Sequence, residues 1–371
     1  MTAHIERINI PLTSPLIIAA LLFSTAACSN PSTVSPSNNK NTATESKEVS
    51  TSDSEVQTAT QTNTSKPAFT TKAIATFDEP WAMTALPIAD SEAPKLLVTQ
   101  KTGELFIVDT ATGNKTKIEG VPTVAYGGQG GLGDIIVAPD FATSNTVYLS
   151  YAEAGADSNK FGAKVIKATL SGLETATPTL QDITPIWQQS PKVTGQGHYS
   201  HRLLFSPDGR YLYISSGERQ DKDPAQDMNG NLGKIIRLSP DGNTPTDNPF
   251  TDNELTKQFW TIGHRNVLGM AFDDSGQLWA HEMGPKGGDE FNIIEKGNNY
   301  GWPVVSNGRN YSGLDIPDHD TKPEFAAPKI TWTPVISPSA MSIYAAGTHN
   351  DFPSWQGNAL ISGLSSKALI V

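Results

Sequence analysis

Apolar and polar positions alternate in short runs along most of this chain. "KLLVTQKTGELFIVD" (95–109) reads as two strands around Thr102–Gly103. "DIIVAPDFATSNTVYLSYA" (134–152), "RLLFSPDGRYLYISSGE" (202–218) and "GMAFDDSGQLWAHEMG" (269–284) repeat the arrangement, and "MSIYAAGTHNDFPSWQGNALISGLSSKALIV" (341–371) is a looser version. Alternation with period two turns one face of each strand inward, and the Pro, Asp and Gly clusters between runs mark turns. Each unit predicts an inner strand, a turn and an outer strand. From the second unit onward the units recur roughly every 70 residues, a repeat longer than a minimal propeller blade. Recurring hairpins without convincing helices predict an all-β fold, a β-propeller with long loops between blades. A β-sandwich is the plain alternative, but it leaves the recurrence without a cause.

Ahead of these units the pattern changes twice. "PLTSPLIIAALLFSTAACSN" (11–30) has an apolar core too short for an ordinary membrane span, ending in small residues before Cys28. Thr25-Ala26-Ala27-Cys28 resembles a bacterial lipobox, which implies a lipoprotein-type signal peptide over residues 1–27 and a lipid anchor at Cys28. A plain secretory signal or an uncleaved anchor is the alternative. Cys28 is the sole cysteine, so no internal disulfide can form. Residues 28–66 are rich in Ser, Thr and Asn and too poor in large apolar groups to offset chain entropy, so they read as a disordered tether. The propeller body is expected over residues 67–371. This layout points to the periplasm, with anchoring to the outer membrane.

Charge narrows the partners. The chain carries 27 Lys plus Arg against 38 Asp plus Glu, a formal net charge of −11. That argues against nucleic acid and against an anionic membrane surface as the main partner. An anionic ligand would need a local cluster of basic groups.

Several loops are too unusual for simple turns. "GHYSHRLLF" (197–205) sets His198, His201 and Arg202 ahead of a strand, and "YGGQGGLGD" (126–134) is glycine-dense around Gln129. "GHRNVLGMAF" (263–272) sets His264, Arg265 and Asn266 before another strand. "EMGPKGGDEFNIIEKGNNYGWP" (282–303) joins a Gly-Pro corner, an Asp-Glu pair and a Tyr-Gly-Trp-Pro turn. Singly, each has a structural explanation as a turn, a cap or a solvated charge. A zinc site at His198 and His201 is disfavoured, because no further His or Cys follows at ligand spacing.

Taken together and in order, with "EPWAMTALP" near Trp81, "GNLGKIIRLSPDGNTPTDNPF" and "NYSG", these motifs resemble the soluble quinoprotein sugar dehydrogenases of the glucose/sorbosone dehydrogenase family. The resemblance spans nearly the whole body. It implies a six-bladed β-propeller that binds pyrroloquinoline quinone (PQQ) and Ca²⁺ above its axis and oxidises aldose sugars. It implies that His198 is the catalytic base and that Arg265 assists at the quinone. Cofactor contacts would come from Gln129, Arg202, Arg265, Asn266 and, more weakly, Tyr311. Calcium ligands would be Glu290 and the Tyr300 carbonyl in one branch of the family, and the Gly284 and Pro285 carbonyls in the other. The residue types suit the task. Bidentate arginine suits the three carboxylates of PQQ, calcium takes hard oxygen ligands, and neutral histidine accepts a proton near pH 7. An external electron acceptor would complete the cycle.

The chain departs from the family pattern at two points. His201 stands where the His-x-x-Gly-Arg motif has glycine, and its role is open between packing and function. After "LISGLSSKALIV", relatives continue through another blade's worth of strands that carries an Arg-x-Arg-Asp-Val segment, so the final blade is expected to be missing or incomplete here. These departures leave room for an alternative, a non-catalytic propeller lipoprotein that binds a ligand or an envelope partner.

Overall fold

The computed structural model describes residues 7–9, 70–88, 93–345 and 351–371. Within them the chain folds into five four-stranded antiparallel sheets, the blades of a propeller. Blade one comprises Pro80–Leu86, Lys95–Gln100, Glu104–Asp109 and Lys115–Ile118, and blade two Leu132–Val137, Thr146–Ala154, Phe161–Ser171 and Thr179–Gln188. Blade three comprises Ser200–Phe205, Leu212–Ser216, Lys234–Leu238 and Phe259–Ile262, and blade four Val267–Phe272, Leu278–Glu282, Asp289–Ile294 and Ile330–Trp332. Blade five runs Pro338–Ile343, Ala359–Gly363, Ala368–Ile370 and finally Arg7–Asn9, which pairs antiparallel with Ala368–Ile370. The sole α-helix among the described residues is the single turn Phe141–Ser144.

The first strands of successive blades pack side by side around an axis. Facing sheets interlock through apolar layers. Leu97, Leu105 and Ile107 meet Leu132, Ile135 and Leu149, and Val165 and Trp187 meet Ile214, Ile236 and Phe259. Ile235 meets Val267 and Met270, and Phe291 and Trp332 meet Ile361 and Ile370. Each such buried Leu, Ile or Phe contributes about 1.5–3 kcal/mol. A blade covered on both faces loses the half-buried pattern, and every residue of Leu212–Ser216 and Lys234–Leu238 is buried. In blade five, Pro338–Ile343 still alternates, because one of its faces is uncovered.

Two sequence expectations need correction. The 95–109 hairpin forms the two middle strands of blade one, and the inner strand is Pro80–Leu86. That strand begins with proline and exposes Met83, which obscured it. The hairpins read elsewhere as inner and outer strands are the inner and second strands of four-stranded blades. The described residues make five blades, and the first strands of blades one and five do not pack on each other as the other neighbours do. Between them lies a cleft of about 910 Å³ reaching the axis, lined by Trp81, Met83 and Val98 on one side and Met341, Leu360 and Leu369 on the other. Arg7–Asn9 falls within the expected leader. The rest of residues 1–27, Cys28 and the tether at 28–66 lie outside the described residues.

Candidate functional site

Strand direction alternates within each blade, so residues preceding an inner strand and those following the second strand meet at one rim. In blade three the register pairs Ser200 with Ser216 and carries on to set His198 beside Glu218. His198 Nδ1 bonds to the Glu218 carboxylate, and the His198 amide donates to Gln129 Oε1 at 2.7 Å. The other Glu218 oxygen accepts from the Lys222 amide at 2.6 Å.

This rim is strained. His198, Ser200 and His201 have φ of +43°, +57° and +47°, and the facing Arg219, Gln220 and Lys222 have +65°, +64° and +56°. Left-handed non-glycine residues cost of order 1–3 kcal/mol each and persist only where the surroundings over-determine them. Here the buried Arg219 guanidinium supplies much of that restraint. It donates to the carbonyls of Gly197 (2.8 Å), Phe161 (2.6 Å) and Gly195 (2.6 Å) and lies 3.7 Å from the Tyr199 ring centroid.

His198 is only 7% exposed. Burial lowers its pKa below 6.5, Arg265 and Arg219 push the same way, and Glu218 opposes them. The ring is therefore neutral at pH 7. Its Nδ1–H is committed to Glu218, which leaves Nε2 as a proton acceptor. Burial disfavours the Glu218 carboxylate, but the bonds from His198 and Lys222 more than offset this and hold its pKa below 4.5.

Blade four repeats the device. Val267 pairs with Glu282, whose carboxylate reaches back to His264 Nδ1 (3.0 Å) and to the amides of Arg265 (2.5 Å) and Asn266 (3.3 Å). The Arg265 guanidinium donates to the Met283 carbonyl at 2.8 Å and to Tyr311 Oη at 3.3 Å, while its buried Nε has no partner. Asn266 Oδ1 accepts from Ser200 Oγ at 3.0 Å, which ties blade four to the His198 loop. From blade two, the Gln129 amide donates to the Gln196 carbonyl at 2.7 Å. Gly127 and Gly128 make this approach possible, since a Cβ on either would collide with Gln196. The structure thus gathers His198, Gln129, Arg265, Asn266 and Tyr311.

Arg202 turns elsewhere. Its Nε donates to the Leu268 carbonyl at 2.8 Å, its NH1 pairs with Asp134 at 3.4 Å, and it stacks on Trp81 at 4.1 Å. His201 covers the other side of this cluster. It stacks on Trp81 at 4.7 Å, bonds through Nδ1 to Ser150 Oγ at 2.8 Å, and its pKa falls to about 3 from burial, with Arg202 and Arg219 adding to the shift. His198 and His201 therefore have separate partners, and His201 is a packing residue.

Glu290 pairs in register with Glu282. Burial pushes its carboxyl well above 4.5, and Glu282 and Asp289 add to this. Asn292 Nδ2 donates to it at 3.2 Å, and Asn292 Oδ1 is buried without a partner. Tyr300 adjoins the same layer: its ring stacks on His264 at 4.7 Å, and its carbonyl accepts from His319 Nε2 at 3.2 Å. A buried carboxylate beside another, with an unpaired amide oxygen, is a donor set that suits a hard cation. Among the described residues no group of three or more His, Cys, Asp or Glu side chains gathers around a common point, so such an ion would need carbonyl and amide oxygens as well. Gly284 and Pro285 belong to the loop before Asp289, which binds the Gly284 amide at 2.9 Å and the Ile336 and Ser337 amides at 2.8 Å each. Asp289 and Glu290 are consecutive strand residues on opposite faces, so these two carbonyl candidates are grouped with Asp289.

Sequence reading missed Glu218 and Glu282. The signal was the hairpin register: a carboxylate just beyond or at the end of the second strand returns to the residue just ahead of the first.

Residues 77–371 match the family model for Glucose / Sorbosone dehydrogenase. An aldose sugar dehydrogenase of Escherichia coli (strain K12), YliI, is 40% identical over 79% of this chain and 77% of its own length. The crystal structure of the soluble aldose sugar dehydrogenase from Escherichia coli in the apo-form superposes with a TM-score of 0.69 at 38% identity, covering 77% of this chain and 80% of that one. The PQQ-bound form of aldose sugar dehydrogenase from Streptomyces coelicolor superposes with a TM-score of 0.63 at 30% identity, covering 80% and 77%.

Proposed function

The chain belongs to the glucose/sorbosone dehydrogenase family, and from that premise we propose that it oxidises aldose sugars at the anomeric carbon to lactones, with PQQ as bound cofactor and His198 as general base. One observation carries this reading: a neutral imidazole fixed by Glu218 shares a rim with Arg265, whose buried Nε lacks a partner.

In this reading His198 Nε2 takes the proton of the anomeric hydroxyl. Glu218 stabilises the imidazolium as it forms and holds the ring in the accepting tautomer. Gln129 fixes the backbone of His198. PQQ, when bound, supplies the two-electron acceptor for the hydride leaving the sugar carbon. Arg265, Asn266 and Gln129 would hold it, with Tyr311 at the edge, and Arg265 would offset negative charge at the quinone oxygens. Arg202, already paired with Asp134, would act through the rigidity of the inner strands. Ca²⁺ would be held at Glu290 and the Tyr300 carbonyl, or at the Gly284 and Pro285 carbonyls. The orphaned Asn292 oxygen supports the first set.

The apolar walls of the cleft between blades one and five support a sixth blade as its occupant, in keeping with the six-bladed reading. Lipid anchoring through Cys28 at the outer membrane, with an external electron acceptor in the periplasm, completes the proposal. Fatty-acid labelling of the wild type and Cys28→Ala tests the anchor.

The function is tested by adding PQQ and Ca²⁺ to purified protein and following dye reduction with glucose and other aldoses. Turnover that requires both additions is expected. PQQ binding without turnover would favour the non-catalytic alternative, and a folded protein with neither would overturn the reading.

A further inference from the structure

Among the described residues only two aromatic side chains are exposed, Tyr126 at 53% and Tyr311 at 74%. Both stand at the rim that carries His198. Tyr311 is tied to Arg265. Tyr126 opens the glycine loop that ends on Gln129, on the blade-one side of the mouth and away from the cationic group of blade four.

An exposed tyrosine is usually mobile, but this one is latched. Its hydroxyl donates to Glu79 Oε2 at 2.5 Å. Lys101 Nζ binds the other Glu79 oxygen at 3.0 Å and the Gly128 carbonyl at 3.0 Å, and lies 5.5 Å from the Tyr126 ring centroid. The Lys101 amide donates to the Glu79 carbonyl at 3.0 Å. The Tyr126 bond, followed by Lys101, holds the Glu79 carboxyl below its ordinary pKa, so the latch is charged at neutral pH. The phenol oxygen is thereby occupied, and what the residue offers the mouth is the apolar surface of a fixed ring.

We propose that Tyr126 is the aromatic platform for the pyranose ring of the sugar, held ready by the Glu79–Lys101 pair one loop away from the base. This rests on the sugar-oxidising reading above. The chemistry favours a sugar over the cofactor here. A pyranose presents an apolar face of C–H groups that suits an aromatic ring, whereas the carboxylates of PQQ call for Arg265, on blade four. A platform fixed before binding also avoids the entropy of ordering a side chain on association.

The test compares Tyr126→Ala, Tyr126→Leu and Tyr126→Phe in protein loaded with PQQ and Ca²⁺. Loss of the ring in the first two should raise KM for glucose roughly 3- to 10-fold, with kcat and PQQ affinity within about twofold of wild type. Tyr126→Phe, which keeps the ring but loses the Glu79 bond that fixes it, should fall between wild type and Tyr126→Ala in KM. Unchanged KM in Tyr126→Ala, or PQQ affinity falling in step with it, would overturn the proposal while leaving sugar oxidation standing. Should the wild type not turn over, saturation-transfer NMR with D-glucose on the same proteins decides the point separately. Transfer that is lost in Tyr126→Ala supports the platform. Equal transfer in both, or none in the wild type, overturns it.

Discussion

Replacing Glu218 by Gln removes one negative charge from a buried position in contact with His198 Nδ1 and changes the shape very little. If Glu218 stabilises the imidazolium that forms as the sugar hydroxyl loses its proton, the loss follows from Coulomb's law. Unit charges about 4 Å apart at an effective dielectric of about 20 interact by about 4 kcal/mol. A neutral hydrogen bond to the amide would recover part of this. The net cost of about 3–4 kcal/mol corresponds to a fall in kcat of about 10²- to 10³-fold. The substitution also moves the acid limb of the pH profile. Glu218 raises the His198 pKa against the lowering effect of burial, so its removal should shift that limb further below 6.5. Stability has a pH dependence of its own, also on the acid side. The Glu218 pKa is depressed in the fold, so its ionisation stabilises the protein above about 4.5, and that contribution is lost as pH falls through the folded value. The melting-temperature gap between wild type and variant should therefore close toward acid. The assay is kcat/KM against pH with glucose and a dye acceptor in the reconstituted protein, alongside thermal melts. A kcat within threefold of wild type, or an acid limb that moves upward, would refute the assignment of Glu218 to positioning and charge stabilisation.

Three further outcomes are expected. Glu290→Gln should raise the Ca²⁺ concentration needed for reconstitution at least about tenfold. Because burial raises the Glu290 pKa, the wild-type apo-protein loses stability as pH climbs from 4.5 through the folded value, so the apo variant should melt higher at neutral pH and gain less from Ca²⁺ in calorimetry. His201→Gly should lose the Trp81 stack and the Ser150 bond while relieving a left-handed backbone, for a net cost of about 1–3 kcal/mol at pH 7. With a folded pKa of about 3, the stability from neutral His201 is present above 6.5 and lost as pH falls toward 3, so the difference between the proteins should shrink on acidification while kcat is retained. Lys234→Met should cost about 3 kcal/mol or more in denaturant unfolding, since the fully buried Lys234 Nζ donates to the carbonyls of Pro224 (2.8 Å), Ala225 (3.0 Å) and Leu232 (2.9 Å).

The β-rich character, the hairpins and most of the rim loops were legible in the sequence, because turns and period-two alternation are local properties. His198, Arg265, Asn266 and Gln129 could be picked out because each stands in an unusual loop just ahead of a strand, and the order of those loops resembles the family's run of motifs. Their carboxylate partners could not be read so directly. Glu218 lies 20 residues from His198 and reaches it only through the register of an antiparallel pair, and Glu282 meets Arg265 in the same way. Arg202 and His201 carried the right chemistry, but a strand's alternation and a left-handed bend commit them to Trp81, Asp134 and Ser150. The inner strand of blade one escaped notice because its own pattern is weak and its apolar partners come from other blades. By itself, then, the chain determined which segments become strands and which loops carry reactive groups. Only the tertiary structure decided which of those groups meet, since burial, pairing register and the gap between blades one and five are properties of packed sheets and have no local signature in the sequence.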